Sequence, residues 1–239
     1  LPEGVPVVRL VDPGLTRGMS EYVVYWVLHH HRDFGAYARM AENKGWDRLA
    51  QADPRGRRVG ILGLGVMGLD ALVKLKPFGF DLAGWSRGPK APKDLPKDLE
   101  GVETFHGKDG LGPFLERTEI LVCLLPLTQE TEGIIDAQTL SQLPKGAALI
   151  NAARGGHVVD EDLIEALDGG HLAAATLDVF LTEPLPDDHP FWEHPKITVT
   201  PHVASITVPA TAALAVAENI RRMEKGEPPE PIVDPDAGY

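Results

Sequence analysis

A short apolar run, Val59-Gly60-Ile61-Leu62, leads into Gly63-Leu64-Gly65-Val66-Met67-Gly68, and a helical pattern follows directly at 66–76. Glycine-rich turns occur in many folds. A strand feeding the turn and a helix leaving it give this one the context that phosphate binding needs. Gly63 permits a tight reversal, Gly65 lets the backbone approach a ligand, and Gly68 lets the helix lie close against the strand. The helix start then offers unpaired N–H groups, with Val66 and Met67 in the first turn, to an anion such as the pyrophosphate of a dinucleotide.

The rest of the chain repeats this rhythm. Nearly continuous apolar runs lie at 59–62, 80–85, 120–125, 147–151, 173–178 and 197–200, with helical patterns at 66–76 and 160–167 between them. Short strands without polar alternation, separated by helices, imply an α/β fold: a doubly wound parallel Rossmann sheet covered on both faces. A short strand is expected at 7–10. Ser20 is read as the cap of one long helix from Glu21 towards Asn43. Tyr22, Val23, Tyr25, Trp26, Val27 and Leu28 cover more than one face of that helix, which suits burial between domains or in a homodimer. The polar stretch 51–58, with Pro54 and Gly56, reads as a connector. Arg55, Arg57 and Arg58 in it read as a solvated lead-in to the next strand. A final helix at 209–225 stops at Gly226, with Pro228 and Pro229 beyond.

A formal net charge of −12 opposes an extended nucleic-acid surface, so no nucleic-acid partner is expected. Pro126 interrupts the most hydrophobic segment, and no run approaches the roughly 20 apolar residues that span a bilayer. The single cysteine, Cys123, sits in the apolar run 120–125. It excludes an internal disulfide and suits a reducing, cytoplasmic compartment. The chain starts at Leu1 without an initiator Met or a signal core, and reads as the interior of a longer chain.

The strand after the glycine turn bears on the cofactor. An NAD site usually carries an acidic residue about 20 positions after the glycines to accept the ribose hydroxyls. This chain has Trp85-Ser86-Arg87-Gly88-Pro89-Lys90 instead. Ser86 can bond a phosphate oxygen, and Arg87 and Lys90 supply positive charge where a carboxylate would repel a 2′-phosphate. NADPH or NADP is therefore favoured over NADH or NAD.

Three polar residues end separate apolar runs further on: Arg154 in 151–157, Glu183 after Leu177-Asp178-Val179-Phe180, and His202 in Thr200-Pro201-His202-Val203-Ala204. A guanidinium, a carboxylate and an imidazole behind a dinucleotide turn form a site for reducing an anionic carbonyl compound. Each has a bland alternative, respectively a surface ion pair, a loop start and a chain turn; their joint occurrence favours function. The other histidines are weaker candidates. His29, His30 and His31 diverge by about 100° per step on a helix and cannot share a metal, so no metal is expected. His189 and His194 flank Phe191-Trp192 and suit packing or loop roles.

These motifs, together with Leu124-Leu125-Pro126-Leu127-Thr128 and Glu183-Pro184, stand in the order found in the D-isomer-specific 2-hydroxyacid dehydrogenases. The chain resembles that family over essentially its whole length. Gly84-Trp85-Ser86-Arg87, the run 189–195 and the ending at 233–239 are most similar to its bacterial glyoxylate/hydroxypyruvate reductase A branch. The resemblance implies NADPH-dependent reduction of small 2-oxo acids by a homodimer. In it Arg154 holds the substrate's carboxylate or carbonyl oxygen, His202 is the acid/base, and Glu183 orients that imidazole. Asp178 would receive the nicotinamide carboxamide, Ala153 would lie against the cofactor, and Leu125, Pro126, Leu127 and Thr128 would line its adenosine-ribose side. Such roles suit hydride delivery to C2 of a 2-oxo acid, where an imidazolium neutralises the growing oxyanion. The resemblance also implies a second, flavodoxin-like substrate domain. Residues 1–15 would be its remnant, 16–204 the dinucleotide-binding domain with the long helix, and 205–239 the return towards it. No glycine loop for the substrate carboxylate precedes Val7. Two alternatives carry similar residues: a dinucleotide-sensing, corepressor-like binding protein on the same fold, and formate dehydrogenase, which pairs its histidine with glutamine rather than a residue like Glu183.

Overall fold

A computed structural model describes residues 5–233. Its centre is a sheet of parallel strands: β1 (Arg58–Leu62), β2 (Asp81–Ser86), β3 (Glu103–His106), β4 (Ile120–Cys123), β5 (Ala147–Asn151), β6 (Leu172–Leu177) and β7 (Ile197–Val199). They lie in the order β3-β2-β1-β4-β5-β6-β7. The central strands are buried on both faces because alternate apolar residues feed two separate cores. Leu62, Leu121, Cys123 and Leu149 point into one core, while Val59, Ile61, Ile120, Val122 and Ile150 point into the other.

The first core is closed by α4 (Gly107–Glu116), α5 (Ala137–Gln142) and α6 (Asp160–Asp168), through Phe114, Leu115, Leu140, Leu163 and Leu167. Helices α1 (Pro13–His31) and α3 (Val66–Leu75) close the second through Val23, Trp26, Val27, Leu72 and Leu75. Val23 and Val27 are fully buried, each contributing about 1.5–3 kcal/mol of apolar burial. Two further helices complete the set, α2 (Phe34–Glu42) and α7 (Pro209–Glu224).

The doubly wound α/β class is borne out, with several corrections along the chain. Among the described residues the expected strand at 7–10 is only an isolated antiparallel bridge, Val8 to Ile232. The long helix starts earlier than Ser20. Asp12 caps it, its carboxylate accepting from Gly14 N–H at 2.9 Å, with Pro13 at the first helical position. Ser20 lies inside the helix, where its hydroxyl donates to Asp70 of α3 at 2.5 Å. The helix also breaks at Asp33, whose φ of 56° is left-handed, so 34–42 forms α2. Between 86 and 120 the sequence reads as loop, yet β3 and α4 are present. Gly110, Gly112 and Pro113 give α4 poor intrinsic propensity, and the burial of Phe114 and Leu115 overrides it.

The arginine lead-in is ion-paired: Arg55 with Asp53 at 2.6 Å, and Arg57 and Arg58 with Glu119 at 3.6 and 3.3 Å. Cys123 is fully buried in β4, and that burial pushes its thiol up to about 12 despite a hydrogen bond at Leu125.

Candidate active site

Strand order fixes where a ligand can lie. From β1 the chain crosses to β2 on one side, whereas from β4 it crosses to β5 on the other. The two connections part above the C-terminal ends of β1 and β4, which opens a crevice at this switch point. The glycine turn fills its floor. Gly63 has φ 108°, and a Cβ there would sit 2.7 Å from the Leu124 carbonyl oxygen. A Cβ on Gly68 would sit 1.9 Å from the Gly63 carbonyl oxygen, so α3 approaches β1 more closely than any side chain permits. At Gly65 a Cβ would meet nothing within 4 Å, which leaves bare backbone facing open space. No side chain caps α3, and its first backbone bond is Leu69 N–H to Gly65 C=O at 2.9 Å. The N–H groups of Val66, Met67 and Gly68 precede that bond and point out of the helix start, which suits a pyrophosphate.

At the end of β2, Ser86 is buried, and its hydroxyl donates to Gly88 C=O at 2.8 Å. This bond folds the following loop back. It brings Arg87 to 3.6 Å from Glu130, on the loop after β4, while Lys90 lies half-buried two residues beyond Gly88. Ser86 and Arg87 therefore stand at the carboxyl end of β2 beside the loop after β4, with Lys90 further along the same loop. The segment after β4 forms the opposite wall. Leu125 is buried and Leu127 exposed, and Thr131 ties the bend by accepting from Thr128 N–H at 2.8 Å and donating to Pro126 C=O at 2.7 Å.

The polar residues on the other side of the crevice come from three strand ends. After β5, the Asn151 carboxamide accepts from Ala153 N–H at 3.1 Å and donates to Arg154 C=O at 3.0 Å, a closed turn that turns Arg154 outward. Arg154 Nη1 also donates to Ala153 C=O at 2.5 Å. His157 pins this turn to the wall after β4, with Nδ1 3.0 Å from Arg154 O and Nε2 3.2 Å from Pro126 O. Burial lowers the pKa of His157; the two carbonyls oppose that and the Arg154 charge adds to it.

After β6 and β7, His202 Nδ1 lies 2.7 Å from Glu183 Oε2, and Phe180 N–H donates to Glu183 Oε1 at 3.0 Å. Partial burial works to raise the Glu183 pKa. Hydrogen bonds from His202 and Phe180, with the charges of His202 and Arg154, outweigh it and hold the carboxyl below its ordinary range. With Nδ1 engaged, Nε2 is the imidazole nitrogen left to face a ligand. His202 itself has φ 52°, a left-handed conformation costly for a non-glycine residue.

Asp178 is fully buried and holds that conformation in place. Its carboxylate accepts from Thr200 Oγ1 at 2.5 Å, Val203 N–H at 2.9 Å and Ala204 N–H at 2.8 Å, and its carbonyl accepts from His202 N–H at 2.8 Å. The resemblance assigned Asp178 a bond to the cofactor; its visible work is to fix the histidine loop. Thr200, Tyr22 and His157 are polar groups of this region that sequence analysis does not single out as site residues. Thr200 stands in the quoted motif beside His202 and His157 ends the run 151–157, but nothing local marks Tyr22.

The remaining histidines turn elsewhere. His29 packs against Trp26 and edge-on against His30, His30 bonds Thr176 at 3.0 Å, and His31 turns away to pack against Phe80, so the three do not converge. His189 pairs with Asp160 at 3.4 Å and packs on Phe191, and His194 pairs with Asp168 at 3.3 Å. Among the described residues no three metal-ligating side chains gather, and no helix is long and apolar enough to cross a membrane.

Comparison with known proteins gives a consistent result. The family model for the NAD binding domain of D-isomer specific 2-hydroxyacid dehydrogenases matches residues 24–204. The glyoxylate/hydroxypyruvate reductase A of Serratia proteamaculans is 45% identical over 239 residues, which is all of this chain and 74% of that protein. A D-isomer specific 2-hydroxyacid dehydrogenase from Xanthobacter autotrophicus, solved with NADPH and MES, superposes with TM-score 0.93 at 48% identity, covering 100% of this chain and 96% of that one. An NADPH-dependent glyoxylate/hydroxypyruvate reductase from Sinorhizobium meliloti, solved with NADP and sulfate, gives TM-score 0.90 at 42% identity, covering 100% of this chain and 74% of the other.

Proposed function

Because the chain belongs to the D-isomer specific 2-hydroxyacid dehydrogenase family, we propose that it reduces small 2-oxo acids, glyoxylate and hydroxypyruvate foremost, with NADPH. The observation that carries this reading is the Glu183–His202 pair at 2.7 Å beside Arg154, at the carboxyl edge of the sheet. Relatives named as reductases of these two acids, and neighbours solved with NADPH or NADP, support the substrate class and the cofactor.

The bare backbone at Gly65 and the uncapped start of α3 would hold the pyrophosphate, and Ser86, Arg87 and Lys90 the 2′-phosphate. Leu125, Pro126, Leu127, Thr128 and Ala153 would enclose the rest of the cofactor. Bound there, the nicotinamide supplies a hydride to C2 of the oxo acid. Glu183 fixes the imidazole through Nδ1, so that Nε2 of His202 gives its proton to the oxygen on which charge develops. Arg154 holds the substrate's carboxylate or carbonyl oxygen and offsets the same charge.

Residues 1–15 and 205–239 belong in this reading to a second, flavodoxin-like substrate domain, of which 1–4 and 234–239 lie outside the described residues. In support, the Val8–Ile232 bridge is continued by Arg9 N–H to Pro231 C=O at 2.9 Å and Val233 N–H to Val7 C=O at 2.7 Å. Tyr25, Phe34 and Trp46, the last 94% exposed, suit α1, α2 and the segment beyond them to a homodimer interface, which light scattering would test. A buried free thiol suits a reducing cytoplasm.

Glyoxylate-dependent oxidation of NADPH by the purified protein tests the assignment. Tight NADPH binding with no turnover of either acid would instead favour a dinucleotide-sensing binding protein.

A further inference from the structure

We infer that Tyr22 is a positioning residue for catalysis, acting on the His202 loop through a partly buried hydrogen-bonded chain, Tyr22–Thr200–Asp178. The inference rests on His202 being the proton donor of the proposed reduction. Tyr22 OH lies 2.7 Å from Thr200 Oγ1, and Thr200 Oγ1 lies 2.5 Å from Asp178 Oδ1. The direction of these bonds follows from chemistry. An ionised carboxylate only accepts, so Thr200 spends its single proton on Asp178, and Tyr22 must donate to Thr200. The same carboxylate oxygen accepts from Val203 N–H, and the other from Ala204 N–H. Asp178 thereby grips the two residues that follow His202, and its carbonyl grips His202 itself.

This grip has a physical task. His202 sits at φ 52°, which an unrestrained loop would abandon, and the Glu183 contact at 2.7 Å depends on the ring staying there. Burial at Tyr22 pushes its hydroxyl's pKa well above the ordinary tyrosine range, with the Asp178 charge adding to the rise and bonds at Thr200 and Trp26 opposing it, so the group stays a donor. Tyr22 belongs to α1, whose Ser20 bonds Asp70 on α3, the helix that starts at the glycine turn. One helix therefore sets both the acid and the floor of the cofactor crevice. Ser20 and Tyr22, which make these two bonds, stand two residues apart on it.

The test compares Tyr22→Phe, Thr200→Val and Thr200→Ser with the unmodified protein and with His202→Asn, using NADPH and glyoxylate. Tyr22→Phe keeps the ring's packing and should lower kcat about threefold to tenfold, with KM and NADPH affinity little changed. Thr200→Val removes a donor to a buried charge and should cost about tenfold to a hundredfold in kcat, largely restored in Thr200→Ser. Amide exchange at Val203 and Ala204 should quicken in Tyr22→Phe and in Thr200→Val. Unchanged kcat and unchanged exchange in Tyr22→Phe, in a protein that turns over and loses activity in His202→Asn, overturns the inference alone. Equal turnover in the unmodified protein and His202→Asn removes the proton donor on which the inference rests and overturns it, whereas no turnover of either acid by the unmodified protein overturns the proposed function instead.

Discussion

The two halves of the crevice are built from different materials. On the β1–β2 side the ligand surface is mostly main chain: a positive-φ glycine, a bare Gly65 and the uncapped start of α3. On the β5–β7 side it is made of side chains, Arg154, Glu183 and His202, each from a different strand end and fixed by hydrogen bonds around it. A site made of backbone is encoded by what is missing, chiefly Cβ atoms. A site made of side chains is encoded twice, once in the reacting groups and again in the residues that hold them. The first should tolerate most substitutions except at glycines, and the second should depend on distant polar partners.

The largest expected effect isolates the side-chain half. His202→Asn should reduce turnover by about 10²–10⁴-fold if proton donation is its role, with NADPH affinity kept. Turnover within a fewfold of normal would remove His202 from the chemistry. Next comes the main-chain half. In Gly68→Ala the added carbon would lie 1.9 Å from the Gly63 carbonyl oxygen, and neither atom belongs to a side chain that can swing away. A loss of about 3 kcal/mol or more in stability, cofactor binding or both is expected, at the top of the overpacking range. A variant with normal urea midpoint and normal NADPH affinity would mean that the close approach of α3 to β1 is dispensable.

A smaller effect probes the one place where the cofactor half relies on side chains. Arg87→Ala should weaken NADPH by about 1.5–3 kcal/mol and NADH little, because only the former carries the 2′-phosphate. Equal losses for both, read by fluorescence titration, would exclude the assignment. The smallest effect concerns α1 beneath the catalytic half. Burial, helped by the His29 charge, pushes His30 down to about 3 from 6.5. Between those values the unfolded chain binds a proton that the folded chain does not, so the stability from neutral His30 is complete above pH 6.5 and falls as the pH drops. Acidification to pH 5 should cost roughly 2 kcal/mol through this group, and His30→Gln should flatten the slope. An unaltered slope in the variant would place the acid sensitivity elsewhere.

This division also decides what could be read in the sequence. The glycine turn and the central strands are legible because local spacing and unbroken apolar runs encode them. Arg154, Glu183 and His202 are legible because each ends such a run within a quoted motif. Their support is not. His157 works by reaching Pro126, 31 positions back along the chain, and Tyr22 by reaching Thr200, 178 positions on. Neither separation leaves a periodic trace. Helix α4 escapes for the opposite reason, since its glycines and proline argue locally for a loop and only the buried Phe114 and Leu115 argue otherwise. The start of α1 was readable and misassigned: Asp12-Pro13 is a sound helix-start signal, and Ser20 competed with it.

The sulfhydryl of Cys123 gives this molecule a built-in clock. It lies at the middle of the sheet, unexposed, and with its pKa at about 12 it is almost entirely protonated at neutral pH. The thiolate must attack an alkylating reagent that has reached it, so labelling waits for strands β1, β4 and β5 to separate. Since the sequence contains one cysteine, every labelling event counts the same motion. Breathing of the loops around His202 would leave this clock still, and only an opening of the central sheet would advance it.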